Sequence, residues 1–342
     1  MRLSELLHST PEPLWHLVKQ CGVDHAVMIL DGAEQESRWL RAADRPAPEV
    51  VDGDDVPWSE SRLRTLQQQV AGYGMSIAAI EDTPPMDRIR LGLPGRDQDI
   101  DAVLVQIAAM GRLGIPVLCY NWMAITSWAR TDVGVPLRGG ALSSGFSQRA
   151  ADRLPALAEP GEITGEQLWD ALQYFLNAAV PAAEQAGVRL SLHPDDPPLP
   201  SMRGVPRIVS SIDAYRRVLA LYPSPNNAIT LCQGNFALMT DELPSVIREF
   251  GGQHAVAFVH FRDVRGTAAD FIETFHDEGQ NDLEACMRAY AEVGFDGPMR
   301  PDHVPTLFGE SNERPGYATL GRLYALGYLR ALQQVAYGRG QV

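Results

Sequence analysis

The chain has 342 residues, 45% of them hydrophobic, which is enough for one large buried core, and a formal net charge of −14. That acidity, with no cluster of Lys and Arg, argues against nucleic acid as a partner, because neutralising phosphates takes clustered cations. No apolar run is long enough to span a bilayer, and the first residues lack the apolar core of a secretory signal, so a cytoplasmic protein with no membrane partner is expected.

Residues 1–24 read as a short amphipathic helix, with Leu14, Val18 and Cys21 about one turn apart and His8 and His16 as surface or packing residues. His25 to Leu30 is a buried strand closed by Asp31-Gly32, and the acidic stretch Val51-Asp52-Gly53-Asp54-Asp55 follows it. Ser59 to Tyr73 has helical spacing, and the apolar run from Met75 ends in Glu81. Leu91 to Asp97 is a turn-rich entry to a helix reaching about Leu113. Ile115 to Tyr120 is then a strand ending at Asn121 and Trp122.

Residues 126–162 are rich in Gly, Ser, Pro and Arg and show no period. They predict a long loop insertion, either flexible or a lid that brings Arg130 and Arg138 over an anionic ligand. Thr164 with Gln167 offers a capping box for a helix from Gly165 to Ala186, closed by Gly187. Val188 to Leu192 then delivers His193 into Pro194-Asp195-Asp196-Pro197-Pro198, where the prolines end the strand and restrict both carboxylates.

Ile212 to Leu221 is helical and Asn227 to Cys232 is the next strand. Leu243 to Phe250 is a short helix, and the run from Ala255 ends at His260. Phe271 to Phe275 leads to His276. The helix after it carries Leu283, Cys286, Met287 and Tyr290 on one face, capped by Asn281 with Glu284. Gly297 to Pro301 brings in Asp302 and His303, and a last helix runs from about Tyr317 to Tyr337.

About eight apolar strands alternating with helices predict a single α/β domain over 1–342, a (β/α)8 TIM barrel. No glycine-rich fingerprint follows the first strand, which counts against a dinucleotide-binding sheet. In a barrel the C-terminal strand ends converge on one mouth, so His193, Cys232, His260, His276 and Asp302-His303 would meet there. Each alone reads as readily as a structural residue; the recurrence is the signal. Two imidazoles, a thiolate and a carboxylate suit a borderline divalent ion (Mn²⁺, Fe²⁺, Co²⁺ or Zn²⁺) rather than magnesium. His303, adjacent to Asp302, should face elsewhere and is the candidate base. Tyr317 is either a hydroxyl donor or a packing aromatic. The four cysteines show neither zinc-finger nor disulfide spacing.

His193-Pro194-Asp195-Asp196-Pro197-Pro198, Leu231-Cys232-Gln233-Gly234-Asn235, His260-Phe261-Arg262-Asp263-Val264, Phe275-His276-Asp277-Glu278-Gly279 and Met299-Arg300-Pro301-Asp302-His303 resemble the mannonate dehydratase family. So do Leu93-Pro94-Gly95-Arg96-Asp97, Cys119-Tyr120-Asn121-Trp122-Met123 and Trp128-Ala129-Arg130-Thr131-Asp132. The resemblance runs from about Glu81 to Leu329. It implies a xylose-isomerase-like barrel that uses Mn²⁺ or Fe²⁺ to dehydrate D-mannonate to 2-dehydro-3-deoxy-D-gluconate. It further implies metal ligands His193, Cys232, His260 and Asp302, with His303 and Tyr317 as acid/base groups. The front departs: the family's Trp-Tyr-Gly segment and the paired histidines after its first strand are missing, which bears on the substrate more than on the metal.

On this reading the partner is a small sugar acid. Arg96, Arg130 and Arg300 either contact its carboxylate or make ion pairs at the barrel rim, with Asn121 and His276 as further candidate contacts. A sugar isomerase or epimerase on the same barrel would instead need Glu81 as a metal ligand. A barrel that binds a sugar acid without turnover should have lost one of its site residues. Barrels often pair through surface helices, so a homo-oligomer is the default expectation.

Overall fold

The computed structural model describes residues 1–30, 56–159 and 161–338. The Asp31-Gly32 turn and the acidic stretch at 51–55 lie outside the described residues. The chain begins with β1 (Arg2–His8), α1 (Pro13–Gln20), β2 (His25–Ile29), α2 (Glu60–Gly72), β3 (Ser76–Ile80), α3 (Asp87–Leu91), α4 (Arg96–Leu113) and β4 (Val117–Asn121). There follow β5 (Asp132–Pro136), β6 (Leu142–Ser147), α5 (Gln148–Ala151), α6 (Gly165–Ala186), β7 (Arg189–His193), β8 (Ser201–Met202), β9 (Val205–Pro206) and α7 (Ile212–Leu221). The remainder is β10 (Asn227–Cys232), α8 (Gln233–Ala237), α9 (Leu243–Gly252), β11 (Val256–Phe261), β12 (Val264–Thr267), β13 (Asp270–Glu273), α10 (Leu283–Glu292), β14 (Pro298–Pro301) and α11 (Thr319–Tyr337).

Eight strands close a barrel in the order β1-β14-β11-β10-β7-β4-β3-β2, every pair parallel. The expected α/β barrel is there, but its membership differs from the sequence reading in one strand. The front segment read as helical opens with barrel strand β1, and only Pro13–Gln20 is helix. In β1 the run is broken by Ser4 and Glu5, both buried, so a strand enclosed on both faces looks too polar to be one. Phe271 to Phe275, counted towards the barrel, belongs instead to an antiparallel sheet ordered β12-β13-β6-β5.

That sheet also corrects the reading of residues 126–162. They are not a structureless loop, because β5 and β6 lie within them. β5 is mostly exposed and β6 carries Ser143, Ser144 and Gly145, so small residues replace the apolar alternation that signals a strand.

Local chemistry sets the helix ends. Ser59 accepts from the Arg62 N–H to start α2. Thr164 and Gln167 form the expected capping box on α6, and Gly187 ends it in the left-handed conformation. For α10 the cap is Asp282, not Asn281. The Asn281 amide is drawn to Asp263 instead. Among the described residues no helix is long and apolar enough to cross a membrane.

Barrel strands are covered on both faces and so read as nearly unbroken apolar runs. Leu6, Val27, Ala79, Val117, Ala228 and Phe258 fill the interior, while residues such as Leu7, Met28, Leu118 and Leu192 pack outward in the larger core with the helices.

Candidate active site

The two-residue period of a strand builds the site. Interior positions Ala79, Cys119, Ala228 and Phe258 are each followed, two or four residues on, by Glu81, Asn121, Cys232 and His260 at the mouth. Ser191, bonded to Thr230 inside the barrel at 2.8 Å, precedes His193 in the same way. The mouth holds a cavity of about 850 Å³ including its open rim, lined by residues that include Glu81, Asn121, His193, Arg300, His303 and Tyr317.

Nδ1 or Nε2 of His193 and His260 and Sγ of Cys232 lie within 4.8 Å of one another. Asp302 joins them, with Oδ2 3.6 Å from the Cys232 sulfur and 3.7 Å from Nδ1 of His260. Neither ring nitrogen of buried His260 makes a well-aligned hydrogen bond; Nε2 lies 3.3 Å from Glu81 Oε1, and a ring so placed costs free energy unless something else ligates it. His193 has Nδ1 2.8 Å from the Pro194 carbonyl. Donation there leaves the Nε2 lone pair for a ligand, the usual second contact of a metal-binding histidine. Burial also lowers the His193 pKa, favouring the neutral form a metal needs. The donor set therefore fits a divalent transition ion.

Around these donors lies a buried ionic layer. Arg262 donates to Asp302 at 2.6 Å, Glu273 at 2.8 Å and Asp196 at 3.0 Å. Gly234 makes room for it, since a Cβ there would sit 2.2 Å from Nη1 of Arg262. Arg300 grips Glu81 through two bonds of 2.9 Å and Asp302 through a third. Burial alone would raise the Glu81 carboxyl, but Arg300 and His260 outweigh it and hold its pKa at about 2. Asp302, likewise buried, is held well below the usual range by His303, Arg300, His260 and Arg262.

His303 lies beyond the end of β14, where strand alternation no longer applies. It therefore faces the same cavity as Asp302 instead of turning away, with Nε2 3.9 Å from Asp302 Oδ1. Its ring packs on Trp128 at 4.8 Å and on Tyr317 at 5.4 Å. Tyr317 stands two residues before α11, not at its first position, in a turn closed by its N–H to Arg314 O. Gly316, at φ +88°, would place a Cβ 3.4 Å from the His303 ring.

Of the proposed substrate contacts, Asn121 and Arg300 line the cavity. Asn121 has its amide oriented by Oδ1, which accepts from Arg90 and from the Met123 N–H. Arg300 has Nε, both Nη1 hydrogens and one Nη2 hydrogen already committed to Glu81, Asp302 and Pro301. Three other expected contacts do not line it. Arg96, at the start of α4, lies over Tyr174 at 3.6 Å. Arg130 is buried and paired with Asp196 and Glu273. Arg138, the other arginine offered for a lid, pairs with Asp277 at 2.7 Å.

His276 is also misplaced by the sequence, because the strand before it belongs to the antiparallel sheet. Its Nε2 donates to the Phe261 carbonyl at 2.8 Å, and burial lowers its pKa to about 4. The unfolded chain takes up this proton near pH 6.5 and the folded one only near 4, so between those values stability falls as the pH drops. His276→Gln keeps the donor and does not titrate. Urea unfolding at pH 7 and pH 5 is expected to show it sparing about 2 kcal/mol of the wild-type loss. An identical pH dependence in the variant would remove His276 as the cause.

Glu81 was legible as a strand-end carboxylate, and Asp196 as part of the proline-bounded pair. Arg262 and Glu273 carry no local signal of their role.

The D-mannonate dehydratase (UxuA) family model matches residues 44–156 and 152–340. Mannonate dehydratase 2 of Halalkalibacterium halodurans is 33% identical over 301 residues, covering 80% of this chain and 87% of that protein. The mannonate dehydratase of Streptococcus equi subsp. zooepidemicus is 33% identical over 310 residues, covering 82% and 85%. The crystal structure of mannonate dehydratase from Streptococcus suis serotype 2 has a TM-score of 0.85 at 28% identity, over 100% of this chain and 95% of that one. D-Psicose 3-epimerase from Clostridium cellulolyticum H10 shares the barrel alone, with a TM-score of 0.59 at 13% identity over 98% of this chain and 99% of that one.

Proposed function

The chain belongs to the D-mannonate dehydratase family, a family of hydro-lyases, and from that premise we propose that it converts D-mannonate to 2-dehydro-3-deoxy-D-gluconate and water. The ion would be Mn²⁺ or Fe²⁺, held by His193, Cys232, His260 and Asp302. The observation that carries this reading is the meeting of those four donors at a mouth where His193, His260 and Asp302 line one cavity with His303 and Tyr317.

Dehydration of an aldonic acid breaks the C2–H and C3–O bonds, forms C2=C3 and releases water; the enol then becomes the 2-keto product. Protons beside a carboxylate are weakly acidic, so the step needs a base, an acid and stabilisation of the developing negative charge. When bound, the ion supplies that stabilisation as a Lewis acid. His303 takes the C2 proton through Nε2, which faces the cavity. Tyr317 delivers a proton to the departing C3 hydroxyl. Arg300 keeps one Nη2 hydrogen for a substrate oxygen while holding Glu81 and Asp302 in place. Trp128 walls the cavity beside His303 and limits the water that reaches the base.

An isomerase would need Glu81 on the metal. Glu81 also meets Cys119 and His260 in a second set of possible donors, but both its oxygens are bonded to Arg300, which favours the dehydratase. The test is turnover of D-mannonate by metal-stripped protein given back Mn²⁺ or Fe²⁺. The 2-keto-3-deoxy product is expected only with the ion. Stoichiometric metal binding without product would move the substrate to another aldonic acid.

A further inference from the structure

Glu273 ends β13, in the antiparallel sheet that the 126–162 insertion forms with the segment after β11. It is 1% exposed, yet its Oε1 lies 2.9 Å from Nδ1 of His303, a residue 30 positions away. We propose that Glu273 is a positioning residue for His303, accepting the Nδ1 hydrogen so that a bare Nε2 faces the cavity. This rests on the reading of His303 as the base.

Nδ1 has two polar neighbours, Glu273 Oε1 and, at 3.2 Å, Nη2 of Arg130. If Arg130 donated to Nδ1, the hydrogen would sit on Nε2 and the ring would be no base towards the cavity. Nη2 carries two hydrogens. One goes to Asp196 Oδ2 at 3.0 Å and the other to Glu273 Oε1, so none remains for Nδ1. A carboxylate only accepts, and Nδ1 must donate to it. Glu273 remains an anion despite burial because Arg262 and Arg130 flank it and lower its pKa. The ring is also pinned in rotation between Trp128 and the backbone at Gly316. The inserted sheet thus supplies Glu273, and the segment just before β5 supplies Arg130, which helps keep that carboxylate ionised.

The experiment uses ¹⁵N-histidine-labelled protein loaded with diamagnetic Zn²⁺, with the His303 signals identified by their loss in His303→Asn. A ring protonated at Nδ1 and bare at Nε2 is expected. Glu273→Asp keeps the charge between the arginines and withdraws it from Nδ1. Its His303 signal should move to a mixture of tautomers, and with Mn²⁺ its kcat on D-mannonate should fall by about 10²-fold, with KM and metal stoichiometry little changed. A His303 protonated at Nε2 in the wild type would overturn the proposal, as would Glu273→Asp with wild-type tautomer and kcat, the pattern of a mere counter-ion. The spectrum of the wild type decides the proposal even if Glu273→Asp does not fold. Wild-type protein that shows the Nδ1-protonated ring but leaves mannonate untouched would count against the substrate alone.

Discussion

Asparagine in place of His303 is expected to leave the ion bound and to cut kcat by about 10²- to 10⁴-fold, the usual worth of a well-placed general base. His303 is not among the four donors, and its Nε2 lies 3.9 Å from Asp302 Oδ1. Metal content measured after dialysis should therefore match the wild type. The asparagine is smaller and polar, and its amide can still hydrogen-bond to Glu273, so the buried carboxylate is not stranded. What it lacks is a nitrogen basic enough to take a proton. Undiminished turnover would place the base elsewhere on the cavity wall, and Tyr317 would be the next residue to replace.

Cys232→Ser should give the complementary result, with metal affinity lower by roughly 10²-fold or more and turnover largely recovered at saturating ion. A thiol gives up its proton to a transition ion readily and binds as a soft anion, whereas a hydroxyl stays protonated and binds as a weak neutral oxygen. The position is fully buried at the end of β10, where serine fits without a packing clash and the loss reports on the donor atom. Competition with a chelator, read alongside activity at increasing Mn²⁺, separates the two variants. His303→Asn is metal-replete and inactive, and Cys232→Ser is active only when flooded with metal. Unchanged metal affinity in Cys232→Ser would take the sulfur out of the coordination sphere.

Much of the fold was legible locally. The α6 capping box and its closing Gly187 follow from chemistry within a few residues, and so do the strand ends that carry His193, Cys232 and His260. Two failures have a common cause. β1 was hidden because Ser4 and Glu5 interrupt its apolar run, and β6 because serine and glycine stand where branched residues would announce a strand. In each case burial comes in part from a strand distant in sequence: β14 beside β1 and β13 beside β6. The misplacement of His276 follows from the second failure, since the strand before it was counted towards the barrel.

The sequence held most of the alternation of strand and helix, and with it the strand ends that carry Glu81, His193, Cys232 and His260, because periods of two and 3.6 residues are written in short stretches of chain. Tertiary structure alone decided how the buried charges pair. Arg130 and Glu273 are 143 positions apart, and Arg300 and Glu81 are 219 apart. A charge taken from water must find a partner wherever the fold brings one. That requirement is met in space, so no local pattern reveals that Arg130 belongs to Glu273 and not to a substrate, or that a strand outside the barrel holds the ring of His303.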